Sequence, residues 1–251
     1  MLVYKPVSRP TTQSLTMESE NTFKVESALP FLGIMMLDTR FPRPIGDIGN
    51  RETFERHGIP VRHRIVRGAS PQRVVRQADP TLLEPFIDAA RALASEGASL
   101  ITTSCGFLAA HQQSLADAVS VPVLASSLLA CRKFAHPGIV TFDAASLTPH
   151  ILQAAGVLSS TPVAGVAPGC EFHRRILNDE ERMDFAEAER NVVEAARTLV
   201  AMSPEVEDLV LECTNMPPWR DAVAHATGRR VHDIETVLLE AWRAGALALR
   251  C

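Results

Sequence analysis

The sequence is poor in residues that several enzyme classes depend on. It holds a single tyrosine, Tyr4, so no tyrosine is expected to serve as a catalytic acid. Its three lysines are Lys5, Lys24 and Lys133. A pyridoxal Schiff base would have to rest on Lys133, between Arg132 and Phe134 in a stretch that reads as a surface connection, and this argues against that cofactor. Neither a GxGxxG nor a P-loop pattern is present, which removes the usual phosphate cradles. Without Cys-x-x-Cys or His-Glu-x-x-His, no zinc site is expected, and Glu171-Phe172-His173 is only a fragment of one. No apolar run approaches the roughly 20 residues that cross a bilayer; the run from Leu29 to Leu37 is closed by Asp38. The opening residues lack the basic-then-apolar order of a secretory signal, so the cytoplasm is the expected location.

The formal net charge is −4, so neither a nucleic-acid nor a membrane partner is expected. Basic residues gather at Arg62, His63, Arg64, Arg67, Arg73 and Arg76, and read as a solvated edge and helix start rather than an anion patch. The 5 cysteines, at 105, 131, 170, 213 and 251, are an odd count without framework spacing, so disulfides are not expected. The 46% hydrophobic content across 251 residues suits one large core or two modest ones.

Two stretches organise what remains. Leu100-Ile101-Thr102-Thr103-Ser104-Cys105 is an apolar run that delivers a cysteine, after a small polar cluster, to the start of a helical pattern. Leu209-Val210-Leu211-Glu212-Cys213-Thr214-Asn215 repeats the design. Around them, Gly33–Asp38 resembles Gly138–Asp143 at a spacing of 105, and the cysteines are 108 apart. The strand-like segments at Val123 and Val231 are also 108 apart. Three landmarks in one order at nearly one spacing predict a duplicated βα unit.

Strands are expected at 31–37, 61–66, 98–103, 121–125, 138–142, 162–167 and 206–211, and one more before the last helix. Helices are expected at 80–97, 106–118, 146–155, 180–202, 217–226 and 233–249. The buried stripe of the long helix is assigned to Phe185, Val192, Val193, Ala196 and Val200. The punctuated segment 41–49 reads as a loop at the carboxyl edge of a sheet, placed to cover a pocket. Alternating strands and helices predict parallel sheets with right-handed crossovers. The expected fold is α/β, with two pseudo-symmetric lobes and an active site in the cleft between them. Residues 1–30 form a flexible N-terminal arm, 31–130 with 233–251 the first lobe, and 131–232 the second.

A thiol at the first turn of a helix is expected to ionise more readily than usual. One thiolate and one thiol on opposite faces of a bound molecule form a base and an acid, which can invert a carbon next to a carboxylate without metal. Donors for that carboxylate are expected from the turn amides and from the hydroxyls of Thr102, Thr103, Ser104 and Thr214. Buried structural cysteines are the competing explanation; the duplication of the setting favours function at Cys105 and Cys213, while Cys131, Cys170 and Cys251 are left structural. A cysteine hydrolase would need a histidine partner, for which His111 and His232 are the candidates. Asp38 and Asp143 end equivalent strands, and either substrate binding or loop capping fits them. Phe107 and Met216 fit an apolar wall or ordinary core packing.

Thr103-Ser104-Cys105 and Glu212-Cys213-Thr214-Asn215 resemble the paired cysteine motifs of the aspartate/glutamate/hydantoin racemase superfamily, over roughly Phe31 to Leu249. The resemblance implies a cofactor-free cleft, with Cys105 and Cys213 as the acid/base pair. The implied substrate-binding set is Asp38, Thr39, Thr103, Ser104, Gly106, Phe107, Thr141, Thr214 and Asn215. Departures are visible. Gly106-Phe107 stand where the amino-acid racemases have Asn-Thr, and Asn215 stands where glutamate racemases have His. The superfamily also includes maleate isomerase-like enzymes and one-cysteine arylmalonate decarboxylases; two thiols argue against the latter. The expected activity is therefore an isomerase, a racemase or epimerase of a small carboxylate. A maleate-type cis–trans isomerase and a non-catalytic small-molecule binding protein are the alternatives. Homo-oligomerisation is left open.

Overall fold

The computed structural model describes residues 29–248. Tyr4, Lys5, Lys24, Cys251 and all but the last two residues of the expected arm lie outside the described residues. Two four-stranded parallel sheets form the molecule. The first holds β1 (Phe31–Leu37), β2 (Val61–Val66), β3 (Ala98–Thr103) and β4 (Val123–Leu124) in the order β2-β1-β3-β4. The second holds β5 (Pro137–Thr141), β6 (Val163–Gly165), β7 (Asp208–Leu211) and β8 (Arg230–His232) in the order β6-β5-β7-β8. The same order twice, with every pairing parallel, is the expected two-lobed α/β fold.

Eight α-helices connect and flank the strands among the described residues. They are α1 (Glu52–Glu55), α2 (Leu83–Ser95), α3 (Gln112–Asp117), α4 (Pro149–Ala154), α5 (Glu171–Leu177), α6 (Phe185–Met202), α7 (Arg220–Thr227) and α8 (Ile234–Ala248). No helix among the described residues is long and apolar enough to cross a membrane.

Strand β1 is buried along its whole length because both of its faces are covered. Phe31, Met35 and Leu37 join Phe86, Ala90 and Leu93 of α2 in one core, while Leu32, Ile34 and Met36 join Ile234 and Leu238 of α8 in another. The matched glycines explain the matched strands. A Cβ on Gly33 would sit 3.1 Å from the Leu93 side chain, and one on Gly138 only 2.7 Å from Leu199. Each lobe thus presses a leucine of its long helix onto a central strand at the same position.

The structure differs from the sequence expectations at several helices, and the helix expected over 80–97 begins as a 3-10 turn, Pro80–Leu82, before α2. The helix expected over 106–118 begins as a 3-10 turn, Gly106–His111, before α3, and that over 217–226 begins with Pro217–Trp219 before α7. Helix α6 starts only at Phe185, where the Asp184 carboxylate accepts the Ala186 and Glu187 amides, both at 3.0 Å. Phe185, at the first position, is consequently 41% exposed and leaves the stripe, which runs through Ala188, Val192, Ala195, Ala196 and Leu199. Neither α1 nor α5 is expected from the sequence.

The basic cluster is neutralised locally. Arg62 and Arg64 meet Glu96, Arg67 meets Asp38, Arg73 meets Asp79 and Arg76 meets Asp143.

Candidate active site

Both cysteines emerge at the carboxyl ends of third-in-order strands. Cys105 follows β3 by two residues and Cys213 follows β7 by two, so the parallel topology directs both to the same edge. Both are buried, and both line one hollow of about 20 Å³, room for roughly one water. Cross-lobe contacts fix the two turns together. Thr214 Oγ1 donates to Ser104 O at 2.8 Å, and Ser127 Oγ, ahead of β5, donates to Leu211 O at 2.7 Å. Gly106 lies so close to Glu212 that a Cβ there would be 2.3 Å from the Glu212 carbonyl oxygen.

The segment 39–50, which includes the loop expected at 41–49, lies against the site. Phe41 lines the hollow, Asn215 Nδ2 donates to Asp47 Oδ2 at 2.7 Å, and Ile48 N donates to Thr214 O at 3.2 Å. Gly46 needs its positive φ of 103° and the space above Pro218, whose Cα would be 2.8 Å from a Cβ. The outer end is tied to the second lobe as well, since Asp179 Oδ1 accepts the amides of Arg40 (2.5 Å) and Phe41 (3.0 Å).

Of the residues implied by the motifs, Cys105, Cys213, Ser104, Gly106, Phe107, Thr214 and Asn215 line the hollow. The other four do not. Asp38 accepts from the Gly68 amide at 3.1 Å on an exposed face, and Thr39 Oγ1 accepts from Arg43. Thr103 gives its hydroxyl to the Ala125 and Cys105 carbonyls, and Thr141 gives its own to Glu212 Oε2 at 2.8 Å, behind the hollow. The expected hydroxyl donors are largely committed elsewhere: Thr102 donates to Leu124 O, and Thr214 to Ser104 O. The Asp143 carboxylate is held by Arg76 at 2.9 Å.

The sequence reading missed the rest of the lining, which is Leu37, Phe41, Pro71, Val75, Phe142, Ile176 and Glu212. Two of these carried a signal, Phe41 as the first residue of the loop expected beside a pocket and Glu212 as a charged residue directly after an apolar strand. Glu212 is completely buried; Oε2 accepts from Thr141 and the Phe142 amide, and Oε1 has no hydrogen-bond partner.

The thiols are not acidified. Burial, and then the Glu212 carboxylate, push Cys105 up to about 12 against the amides of Phe107 and Leu108. The same two causes push Cys213 well above the ordinary thiol value, opposed by the Asn215 amide. This corrects the expectation of easy ionisation: a single short turn cannot outweigh loss of solvent beside a like charge. Burial also raises Glu212, to about 7, against the Thr141 hydroxyl and the Phe142 amide. Cys213 Sγ lies 3.6 Å from Asn215 Oδ1, to which it donates.

Neither histidine candidate joins a thiol. His232 pairs with Asp208 at 2.9 Å and stacks on Phe134, while His111 lines a separate hollow with His150. No cluster of three or more His, Cys, Asp or Glu suited to a metal occurs among the described residues.

No protein-family model matches the chain. It is similar to a dimethylsulfoniopropionate lyase of Durusdinium sp. clade D, 28% identical over 216 residues, covering 80% of this chain and 70% of that protein. It is also similar to dimethylsulfoniopropionate lyases 7 and 3 of Emiliania huxleyi (strain CCMP1516), at 30% and 29% identity over 82% and 81% of this chain. The chain spans 64% and 57% of those two proteins. Among solved structures, unliganded arylmalonate decarboxylase matches with a TM-score of 0.56 at 15% identity, over 86% of this chain and 92% of that one. A glutamate racemase isoform from Bacillus anthracis matches at 0.55 and 15%, over 85% and 81%. The curated relatives overturn the isomerase expectation, in its racemase and cis–trans forms, and the non-catalytic alternative with it: they are lyases by name.

Proposed function

We propose that this chain, which has the fold of the aspartate/glutamate racemase superfamily, is a lyase that eliminates dimethyl sulfide from dimethylsulfoniopropionate or a close sulfonium carboxylate. Racemisation and elimination open with the same act, removal of a proton from the carbon beside a carboxylate. They part at the next carbon. Where that carbon bears a sulfonium, the electron pair left by the proton forms the carbon–carbon double bond and the carbon–sulfur bond breaks. Neutral dimethyl sulfide departs, acrylate remains, and the proton stays on the base. The observation that carries this reading is a hollow lined by two thiols and a carboxyl but by no lysine, arginine or histidine. A dicarboxylate would find no counter-charge there; a zwitterion brings its own cation.

Cys105 is assigned as the base. Two main-chain amides, of Phe107 and Leu108, point at its sulfur and favour the thiolate, whereas Cys213 receives one and donates its proton to Asn215. Cys213 then serves as a neutral donor, and the Gly106 and Thr214 amides, which directly follow the two cysteines, hold the substrate carboxylate with the Ser104 hydroxyl. With Cys105 at about 12, the thiolate at pH 7 lies roughly 7 kcal/mol above the thiol, so ionisation has to await the bound sulfonium. The hollow is too small for such a substrate, and entry requires Phe41 and its loop to withdraw.

The test is to incubate the protein with dimethylsulfoniopropionate and follow dimethyl sulfide in the headspace and acrylate in solution. Stoichiometric release that vanishes in Cys105→Ser supports the reading. No release from the wild-type protein rejects it.

A further inference from the structure

We propose that Glu212 and the rings of Phe41, Phe107 and Phe142 form the seat of the sulfonium group, so that the site selects a cationic substituent on the carbon that loses its leaving group. The inference rests on the lyase reading above and deepens it.

Glu212 is the unexplained residue of the hollow. Its side chain is fully buried, one oxygen is engaged by Thr141 and Phe142, and Oε1 meets no donor. A buried acceptor without a partner is costly, and native proteins keep one where something else satisfies it. The arginines nearest in sequence to the lining are already committed. Arg40, next to Phe41, pairs with Asp179, Arg76, next to Val75, with Asp143 at 2.9 Å, and Arg175, next to Ile176, with Glu171 at 2.8 Å, so among the described residues none of these cations is left for Glu212 and a ligand can supply one.

The chemistry of the walls fits a sulfonium better than an ammonium with hydrogens. A trialkyl onium spreads its charge over its methyl groups and donates no conventional hydrogen bond, so it is recognised by ring faces and by an uncompensated negative charge. Three phenylalanines line the hollow. Phe142 is held by stacking on His173 at 4.9 Å, with planes 6° apart, and Phe41 has Arg43 over its ring at 4.3 Å. Phe142 is thus braced from outside the pocket, and Phe41 is carried on the loop that moves with it. Gly106 completes the arrangement, because a Cβ there would occupy space 2.2 Å from Glu212 Oε1.

The test compares two unreactive or poorly reactive ligands of one shape and different charge, by calorimetry on the full chain. They are 3-(trimethylammonio)propionate and its neutral isostere 4,4-dimethylpentanoate. The wild-type protein is expected to prefer the cationic ligand by tenfold or more, and Glu212→Gln to lower that preference at least fivefold. Phe107→Leu, which leaves the carboxyl in place, is expected to lower it by a smaller factor, and it stands in should Glu212→Gln fail to fold. Absence of preference in the wild-type protein, or a preference untouched by Glu212→Gln or by its stand-in, overturns the proposal. Failure of the lyase reading is a different result, the absence of dimethyl sulfide from wild-type protein, and binding does not depend on it.

Discussion

Adding one methyl group at Gly106 should damage the site more than any other single-carbon change near it. The new Cβ would lie 2.2 Å from Glu212 Oε1, 2.3 Å from its carbonyl oxygen and 2.9 Å from Cδ. Those are roughly an ångström inside ordinary non-bonded contact. The Glu212 side chain could swing away, but the carbonyl could not. The main chain of Glu212 is held by its amide donating to Val140 O at 2.8 Å, and its carbonyl accepts from Ser127. Relief has to come from moving the Cys105 turn off the Cys213 turn by about an ångström. Overpacking of this kind costs about 1–3 kcal/mol, and for a domain of this size that lowers Tm by roughly 2–12 °C. A misplacement of that size at the chemistry costs about 100-fold in kcat/KM for dimethyl sulfide release. Thermal unfolding and headspace kinetics on Gly106→Ala read both effects. Gly245→Ala is the control: it sits in α8 with open space around it and should stabilise by about 0.5–1 kcal/mol. A Gly106→Ala protein with wild-type Tm and kcat/KM would refute the close approach of the two turns.

Other expectations follow from the same geometry. Cys105→Ser should lose about 1,000-fold or more in kcat, and Cys213→Ser about 10- to 100-fold, measured with saturating substrate; equal losses would mean that the two thiols are not divided as base and donor. Glu212 is raised to about 7 in the folded protein from 4.5, so the folded state holds its proton over a range where the unfolded chain has released it. Its contribution to stability is complete below pH 4.5 and falls by about 3 kcal/mol as pH rises to 7. Denaturation midpoints at pH 4.5 and 7 should show this fall and Glu212→Gln should remove it; a fall of equal size in the variant would assign it elsewhere. The same substitution takes a negative charge from beside both thiols and should speed iodoacetamide alkylation at pH 8, whereas unchanged rates would contradict the assigned cause. Asp47→Ala removes the acceptor of Arg43, the Gly49 amide and Asn215 at once. It should cost about 3 kcal/mol by chemical denaturation and raise KM; a cost within 0.5 kcal/mol would mean the clasp contributes nothing.

The architecture was legible in the sequence because the signals for it are local and repeated. Gly33 and Gly138 each lie near the start of an apolar strand that is followed by an aspartate, and each lies under a leucine of the lobe's long helix. The cysteine pair was legible for the same reason, each thiol following its strand through a small polar cluster. The lining was not. Pro71 and Ile176 reach the hollow from a connection and from α5, and nothing local distinguishes an apolar residue over a cleft from one packed in a core. The acidity of the thiols was misjudged because burial and the neighbouring Glu212 carboxyl are consequences of packing. The fate of the carbanion was misjudged for a deeper reason. Two opposed thiols announce proton removal, but whether the pair of electrons then recaptures a proton or expels a group is decided by what the substrate carries.

The two halves share a strand order yet differ in what stands before the cysteine. Ser104 occupies that place in the first lobe and Glu212 in the second, 108 positions later. A shell with twofold kinship therefore has unlike poles. A molecule with one charged end of each sign has a head-to-tail preference inside it, which suits a one-way bond scission and makes the mirror-related pose the unproductive one.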